Sequence, residues 1–448
     1  MSKAISLKPC SHKDYVLFIN PKKANELGLN ARKRAYVSFG SAKTYVNIEI
    51  TDDIYADEIL LSRLVINDLS LPGYPIFEVG VKDNEVIIGP YIGMLVSEDD
   101  ENITASKLRG MSAYTQVYEK LHGALVVFAL NRVDTSNRLI DGYCYNPHKD
   151  RWERGTFPYP SSIYRTIGLS EFWQNHFLSV LGNKFFNTPY FNKLDMYKWF
   201  STDPEIGQYL PHTILYESYR DIQSMLDRYG NIYIKPTSGL KGRGIIKASM
   251  EDGATVFRYR EDRENHTIVL DTPREVIQFV EDRLRPGRYL IQQAINLLQY
   301  NGSVIDFRCA VQKNQSEKWV CNAVIGRCGD KGSVVSNISS GGSTYKGVDL
   351  LKKALSLPDT GILSIIKRME TLALKVCNTV DKYGINCGTL GLDVGLDVDG
   401  RLWLIEINNR DPSPRYAIDL KDDELYRTMK TSPLFYAKAL AGFKDEVL

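Results

Sequence analysis

The sequence predicts an α+β protein in three parts: a β-rich N-terminal domain (residues 1–88), a small α/β domain (89–190) and a longer α+β domain (191–448). Three observations carry this. Short β-patterns alternate with turns in the first part, and a strand–helix–strand pattern follows in the second. Near the C-terminal end, Gly391-Leu-Asp-Val-Gly-Leu-Asp-Val-Asp-Gly-Arg-Leu-Trp-Leu-Ile-Glu-Ile-Asn-Asn409 reads as a hairpin with an acid on each strand.

Composition narrows the class. A chain of 448 residues holds two or three domains with ample core, and 43% hydrophobic with 25% charged residues makes it globular. The net charge of only +2 gives no global field for nucleic acid, so none is expected as a partner. Seven scattered cysteines without a CxxC pair predict neither a disulfide framework nor a zinc site, and a reducing cytoplasm fits them. The first ten residues lack an apolar signal core, and the longest apolar run, 124–130, is too short to span a bilayer, so no membrane is expected.

In the first part, 15–19, 35–39, 45–50 and 85–90 are strand-like and 22–29 is a helical turn closed by Gly28, which together suggest a small β-barrel. It carries no catalytic constellation, and a scaffold or recruitment role is expected. A buried strand at 90–96 precedes a stripe at Leu108, Met111, Tyr114, Val117 and Leu121 with helical spacing. Gly123 ends it, and a strand at 124–130 completes a parallel α/β unit. Trp152, Phe157, Tyr159 and Tyr164 read either as packing or as part of a cleft.

Signals thicken beyond 191. A short helix begins at Asn192-Lys193, a strand covers 210–215, and a helix over 219–229 stops at Gly230. The strand 231–235 then delivers Lys235 to a loop holding Ser238, Gly239, Gly242 and Gly244. Backbone N–H groups of such a loop can close over phosphate oxygens while Lys235 supplies a point charge. The loop is neither a Walker A nor a Gly-x-Gly-x-x-Gly motif, and a plain hairpin with a basic tip satisfies it equally. Thr272-Pro-Arg-Glu275 opens a helix with a capping box. Strands follow at 289–293, at 306–311 with Asp306 and Arg308 on one face, and at 319–327. A core helix covers 362–383.

The hairpin itself permits arithmetic. Asp399-Gly400 suits a two-residue type I′ turn, which sets Val398 against Arg401 and, stepping outward, Asp393 against Glu406, with Asn408 on the same face. Leu392, Val394, Leu396, Val398, Trp403, Ile405 and Ile407 then form the core face. Two carboxylates opposite one another, with Cβ atoms about 5 Å apart, repel, and a hard cation such as Mg2+ or Mn2+ answers that. A solvated acidic face is the alternative. Leu402 and Leu404 on the same face argue against it.

A lysine before a short helix, a strand-borne lysine with a glycine loop, Gln292-Gln293 at a strand end, Asp306-Phe-Arg308, and Asp393 with Glu406-Ile-Asn408 occur in an order that resembles the ATP-grasp fold. In that fold two α+β subdomains clamp ATP. Gln292-Gln-Ala-Ile, Asp306-Phe-Arg, the run from Gly332 through Asn337 to Gly341-Gly342, and Ile405-Glu-Ile-Asn-Asn look like the YheC/YheD spore-coat-associated ATP-grasp family. The Arg327, Asn337, Gly-Gly series is also similar to the ribosomal-protein glutamate ligase branch.

The resemblance implies an ATP- and Mg2+-dependent carboxylate–amine ligase, forming a C–N bond through an acyl phosphate, and an association with spores. Lys193 and Lys235 would meet ATP phosphates, and the loop from Ser238 to Gly244 would cover them. Backbone groups of Gln292, Gln293 and Ile295 would read the adenine edge, with Asn296 near the ribose. Asp393, Glu406 and Asn408 would hold the metal, and Arg308 and Arg327 would face the transferring phosphoryl group. Asn337 with Gly341 and Gly342 either binds the carboxylate substrate or forms a structural turn. Small-molecule or peptide carboxylates and amines would be the substrates. A structural coat protein with a vestigial or regulatory ATP site, and a phosphotransferase, are the alternatives.

Overall fold

The computed structural model describes residues 4–188, 191–238, 244–262, 264–329, 342–409 and 414–444. Its first part is a seven-stranded sheet in the order Ser6–Cys10, Glu58–Ser62, Val16–Ile19, Ala42–Ile50, Arg34–Phe39, Glu85–Gly89, Glu78–Lys82. The Ile5 N–H donates to the Phe77 carbonyl at 2.7 Å, joining the two edges so that the sheet closes as a small barrel. Inward residues such as Val37, Phe39 and Val46 are fully buried.

The second sheet runs Arg151–Pro158, Leu139–Asn146, Ala124–Asp134, Tyr91–Ser97, Ser162–Arg165, Phe185–Phe186. Tyr91–Ser97 and Ala124–Asp134 pair in parallel, as the strand–helix–strand pattern predicts. Their connection differs from the expected single helix. It is three short ones, Ala105–Arg109, Ser112–Thr115 and Tyr118–Leu121, because Gly110 follows the first and Met111 and Val117 leave helical geometry, with ψ of 10° and 8°. The apolar stripe survives the breaks, since Met111, Tyr114 and Leu121 remain buried.

Gly123 ends that connection at φ +74°, and a Cβ there would lie 1.9 Å from the Pro90 carbonyl oxygen, a backbone atom that cannot step aside. Gly123→Ala therefore combines left-handed strain with a clash, and about 3 kcal/mol or more of destabilisation is expected. A lowered chemical-unfolding midpoint checks it; an unchanged midpoint would contradict the geometry.

Barrel and second sheet share one apolar cluster, in which Phe39 stacks on Tyr91 with ring centroids 4.3 Å apart. The C-terminal helix Asp423–Leu440 returns to the second sheet. Leu434, Tyr436 and Ala437 pack there, the Ser162 hydroxyl donates to the Ala437 carbonyl at 2.8 Å, and buried Lys438 bridges Glu78 at 2.6 Å.

The remaining residues form two lobes. The first is an antiparallel sheet in the order Thr213–Leu215, Tyr289–Gln293, Asn231–Pro236, Ile246–Glu251, Ala254–Glu261, Glu264–Leu270. Helices Tyr219–Tyr229 and Pro273–Arg283 bury Ile222, Met225, Val276 and Phe279 against Ile232, Ile234, Phe257 and Ile291. The second lobe is ordered Ser343–Lys346, Trp319–Cys328, Ser303–Lys313, Thr389–Leu396, Leu402–Asn408. It is backed by helices Gly347–Ala354 and Asp359–Lys382, and Met196 and Phe200 of helix Lys193–Phe200 join its core.

None of the seven cysteines is in a disulfide. Burial pushes the Cys144 and Cys387 thiols up to about 12, which removes them as nucleophiles. Among the described residues no helix is long and apolar enough to cross a membrane.

Candidate functional site

Asp393 does stand opposite Glu406, but not by the expected route. The loop is one residue longer than a type I′ turn. Only Gly400 has positive φ, at +79°, and the Asp397 side chain accepts from the Asp399 and Arg401 N–H groups at 3.0 and 2.8 Å. The longer loop pairs Leu396 with Leu402, one residue off the expected register; a bulge between the Leu404 and Glu406 pairings shifts it back. The two departures cancel at the acids and not between them. Leu402 and Leu404 therefore lie in the core with Leu392, Val394 and Leu396, Ile405 faces the cleft, and Val398 is 55% exposed rather than core. The Trp403 indole N–H donates to Asp397 at 2.8 Å.

Strand pairing extends these acids into a row of alternating charge. Arg308 is the direct cross-strand partner of Asp393, and Arg327 that of Asp306. Arg308 grips Asp393 with both Nε and Nη2, at 2.5 and 3.2 Å, and Arg327 grips Asp306 at 2.8 and 2.5 Å. The Arg327 Nη2 also reaches Asp393 Oδ2 at 3.1 Å, and the Asn408 amide N–H lies 3.4 Å from the same oxygen. All four charged groups are buried. Burial works to raise the Asp393 carboxyl, but Arg308 and Arg327 outweigh it and hold the group below the usual carboxylate range. Asp306 received no function from the sequence, although its position two residues before Arg308 was the available signal.

Two lysines face this row. Lys193 opens its helix behind a capping box of Asn192 and Asp195, and its ammonium lies 3.0 Å from Glu406 Oε1. Lys235, near the end of strand Asn231–Pro236, donates to the Gln292 Oε1 at 2.5 Å. Burial lowers the Lys235 ammonium to about 8; Glu406 pulls it back up while Lys193 pushes it further down. Both lysines line a cleft together with the apolar side chains Met196, Tyr197, Leu210, Leu290 and Ile405.

The other candidates divide. Gln292 puts its side chain into the cleft. Gln293 is engaged elsewhere: its N–H donates to the His212 carbonyl, and its side-chain oxygen accepts from the His212 N–H. Ile295 and Asn296 lie in the linker between the lobes, where the Asn296 carbonyl accepts from the Val398 N–H at 3.1 Å. Ser238 and Gly244 flank the glycine loop. Gly342 precedes strand Ser343–Lys346, which pairs Thr344 with Arg327. Gly239, Gly242, Asn337 and Gly341 lie outside the described residues.

Among the described residues no group of three or more His, Cys, Asp or Glu side chains is placed to hold a metal. Two carboxylates and an amide are the available set, all-oxygen donors that suit a hard cation bringing phosphate ligands of its own. Each carboxylate already meets a positive group, Asp393 the two arginines and Glu406 the Lys193 ammonium. The acids thus meet positive charge from the chain itself, and their oxygen donors are of the type a hard cation takes.

Two α+β lobes meeting at a cleft, with Lys235 on the first lobe and Lys193 beside the carboxylates and arginines of the second, are the arrangement of an ATP-grasp protein. The sequence profile described as YheC/D-like ATP-grasp matches residues 182–440, more than half of the chain, and the chain belongs to that family. It is 25% identical over 372 residues to the endospore coat-associated protein YheD of Bacillus subtilis (strain 168), covering 79% of each chain. It is 25% identical over 218 residues to the endospore coat-associated protein YheC of the same organism, covering 46% of this chain and 55% of that one. Among solved structures, the VanG D-Ala:D-Ser ligase from Enterococcus faecalis superposes with a TM-score of 0.42 at 11% identity, over 77% of this chain and 98% of that one.

Proposed function

We propose that the protein is an ATP-dependent carboxylate–amine ligase working through an acyl phosphate, with Mg2+ or Mn2+ accompanying the nucleotide. The observation that supports this most is the row of buried Arg327, Asp306, Arg308 and Asp393, ending in the part-exposed Glu406, with Lys193 and Lys235 beside it. Charges fixed in a low-dielectric cleft stabilise a moving phosphoryl group without reorganising as it moves. In this reading Lys193 and Lys235 bind the phosphates, and Arg308 and Arg327 face the phosphoryl group in transit and the acyl phosphate. The segment from Gln292 to Asn296 flanks the nucleoside, and Asn337, Gly341 and Gly342 take the carboxylate. The loop Ser238, Gly239, Gly242, Gly244 covers the phosphates. Asp393, Glu406 and Asn408 would hold the metal, whose chemistry is to neutralise phosphate oxygens. A substrate carboxylate oxygen attacks the γ-phosphorus and ADP leaves; an amine then attacks the carbonyl carbon and phosphate leaves. The row keeps every charge this chemistry uses, which favours a working site over a vestigial one.

The substrates are small-molecule or peptide carboxylates and amines. We also assign the domains to 1–88, 89–190 and 191–448 and, because two relatives are called endospore coat-associated, place the protein with spores, made in a cytoplasm that keeps its cysteines reduced.

Incubation with ATP, Mg2+ and pooled carboxylates and amino acids, with and without hydroxylamine, tests the proposal. Hydroxamate with ADP and inorganic phosphate is expected. A stable phosphorylated product would replace the ligase with a kinase, and no turnover with any pool would restore a structural coat function.

Lys235 adds a pH dependence. Phosphate binding uses the charged ammonium, which is present below about 8 and lost above it. ATP affinity should hold from pH 6 to 7.5 and then weaken toward tenfold per pH unit, with net proton uptake on binding near pH 8. Calorimetry in buffers of different ionisation enthalpy measures both, and a flat profile to pH 9.5 would contradict the assignment.

A further inference from the structure

Each acid of the row is matched by a cation, but the matches differ in kind. Asp306 and Asp393 are each gripped through two hydrogen bonds by an arginine of the neighbouring strand, and none of these four side chains is more than 9% exposed. Pulling such a buried pair apart leaves charge without a partner, so these pairs stay closed. Glu406 is matched from outside the sheet. Its partner is the Lys193 ammonium, held by one 3.0 Å contact, and the two side chains are 21% and 33% exposed. An ion pair that water reaches contributes about 1 kcal/mol or less, so this one exchanges readily.

The backbone beneath that ammonium is fixed. Asn192 and Asp195 cap the helix at Lys193, and Met196 and Phe200 seat it in the core of the second lobe. The Lys193 N–H also donates to the Thr237 carbonyl at 3.4 Å, at the root of the glycine loop. Movement of the charge is left to the flexible four-carbon stem.

We infer that Lys193 is a gate on Glu406: its ammonium holds the carboxylate until a nucleoside polyphosphate draws it off, and only then does the carboxylate accept a divalent cation. This rests on the nucleotide and metal reading proposed above and goes beyond it by giving the two ligands an order. An ammonium and a dication on one carboxylate repel each other, so Glu406 serves one of them at a time. A polyphosphate offers the ammonium several anionic oxygens in place of one carboxylate, and Lys235, lining the same cleft, helps to hold it there. The arginines stay on Asp306 and Asp393 throughout. Glu406 is therefore the acid whose availability changes, and the cleft refuses a metal ion that arrives without its nucleotide.

The test is Mn2+ binding to the full chain without nucleotide, followed by electron paramagnetic resonance. Unaltered protein should hold Mn2+ weakly. Lys193→Met, which keeps the stem and removes the charge, should tighten binding by about tenfold or more, whereas Lys193→Arg should not. Adding Glu406→Gln to Lys193→Met should abolish the gain, which a mere change in surface charge would not do. Saturating ADP should then raise Mn2+ affinity less in Lys193→Met than in unaltered protein, because the variant has no ammonium to draw off. If unaltered protein binds Mn2+ with ATP but Lys193→Met gains nothing without nucleotide, if the gain survives Glu406→Gln, or if ADP helps both proteins equally, this inference is overturned and the metal site stands. If unaltered protein binds no Mn2+ even with ATP, the metal reading falls and this inference with it.

Discussion

Replacing Arg327 by methionine should destabilise the second lobe by about 3–5 kcal/mol, the largest stability loss expected from any single change in the charge row. The guanidinium makes both hydrogen bonds to Asp306 and a third contact to Asp393, and all three residues are buried. Removing it leaves Asp306 a desolvated carboxylate with its charged partner gone, and the cost comes from that remaining charge more than from the bond lost. One consequence separates this from simple loss of packing. The double variant Arg327→Met with Asp306→Leu should recover most of the stability, since neither buried charge remains, while recovering no activity. Urea unfolding followed by tryptophan fluorescence reads this, because Trp319 and Trp403 both lie in that lobe. A double variant no more stable than Arg327→Met would show that the pair's charges are not the cause.

Glu406→Gln should lower ATP turnover by about a hundredfold or more while leaving the fold intact. Its side chain is one-third exposed and only Lys193 pairs with it in the described structure, so the amide loses charge without opening a cavity. Binding of Mn2+ in the presence of ATP, followed by electron paramagnetic resonance, should weaken in parallel. Loss of turnover with unchanged Mn2+ binding would take Glu406 out of the metal set, and full turnover would remove it from the site.

How much of this was readable in the sequence depended on how local the determinant was. Helix boundaries set by caps were readable: Gly230 after 219–229, the Thr272–Glu275 box, and the Asn192 cap before Lys193. So was the barrel, from strand spacing alone. The helical stripe at 108–121 was readable as buried but not as broken, because burial keeps its period across the three short helices. Strands Ile246–Glu251, Ala254–Glu261 and Glu264–Leu270 were missed although Asp252-Gly253 makes a tight two-residue turn between the first two, with both residues at positive φ. The acid pair was found by a register count that was wrong at the loop and wrong again at the bulge. Leu402 and Leu404, which fitted poorly on an acidic face, were the residues that marked the error. Arginine–carboxylate partners could not be read at all, since Arg308 to Asp393 and Arg327 to Asp306 depend on the pairing of strands far apart in sequence. Nor could the Lys235 to Gln292 contact, which joins residues 57 positions apart.

The proposed chemistry makes one bond that no alternative makes, between a substrate carboxylate oxygen and the γ-phosphorus. Carboxylic acids exchanged in 18O-water, supplied as a pool with ATP, Mg2+ and hydroxylamine, follow it directly. Mass analysis of the inorganic phosphate released should find one 18O atom in each phosphate formed per hydroxamate. Phosphate free of 18O, with ATP consumed, would contradict acyl-phosphate formation at this site.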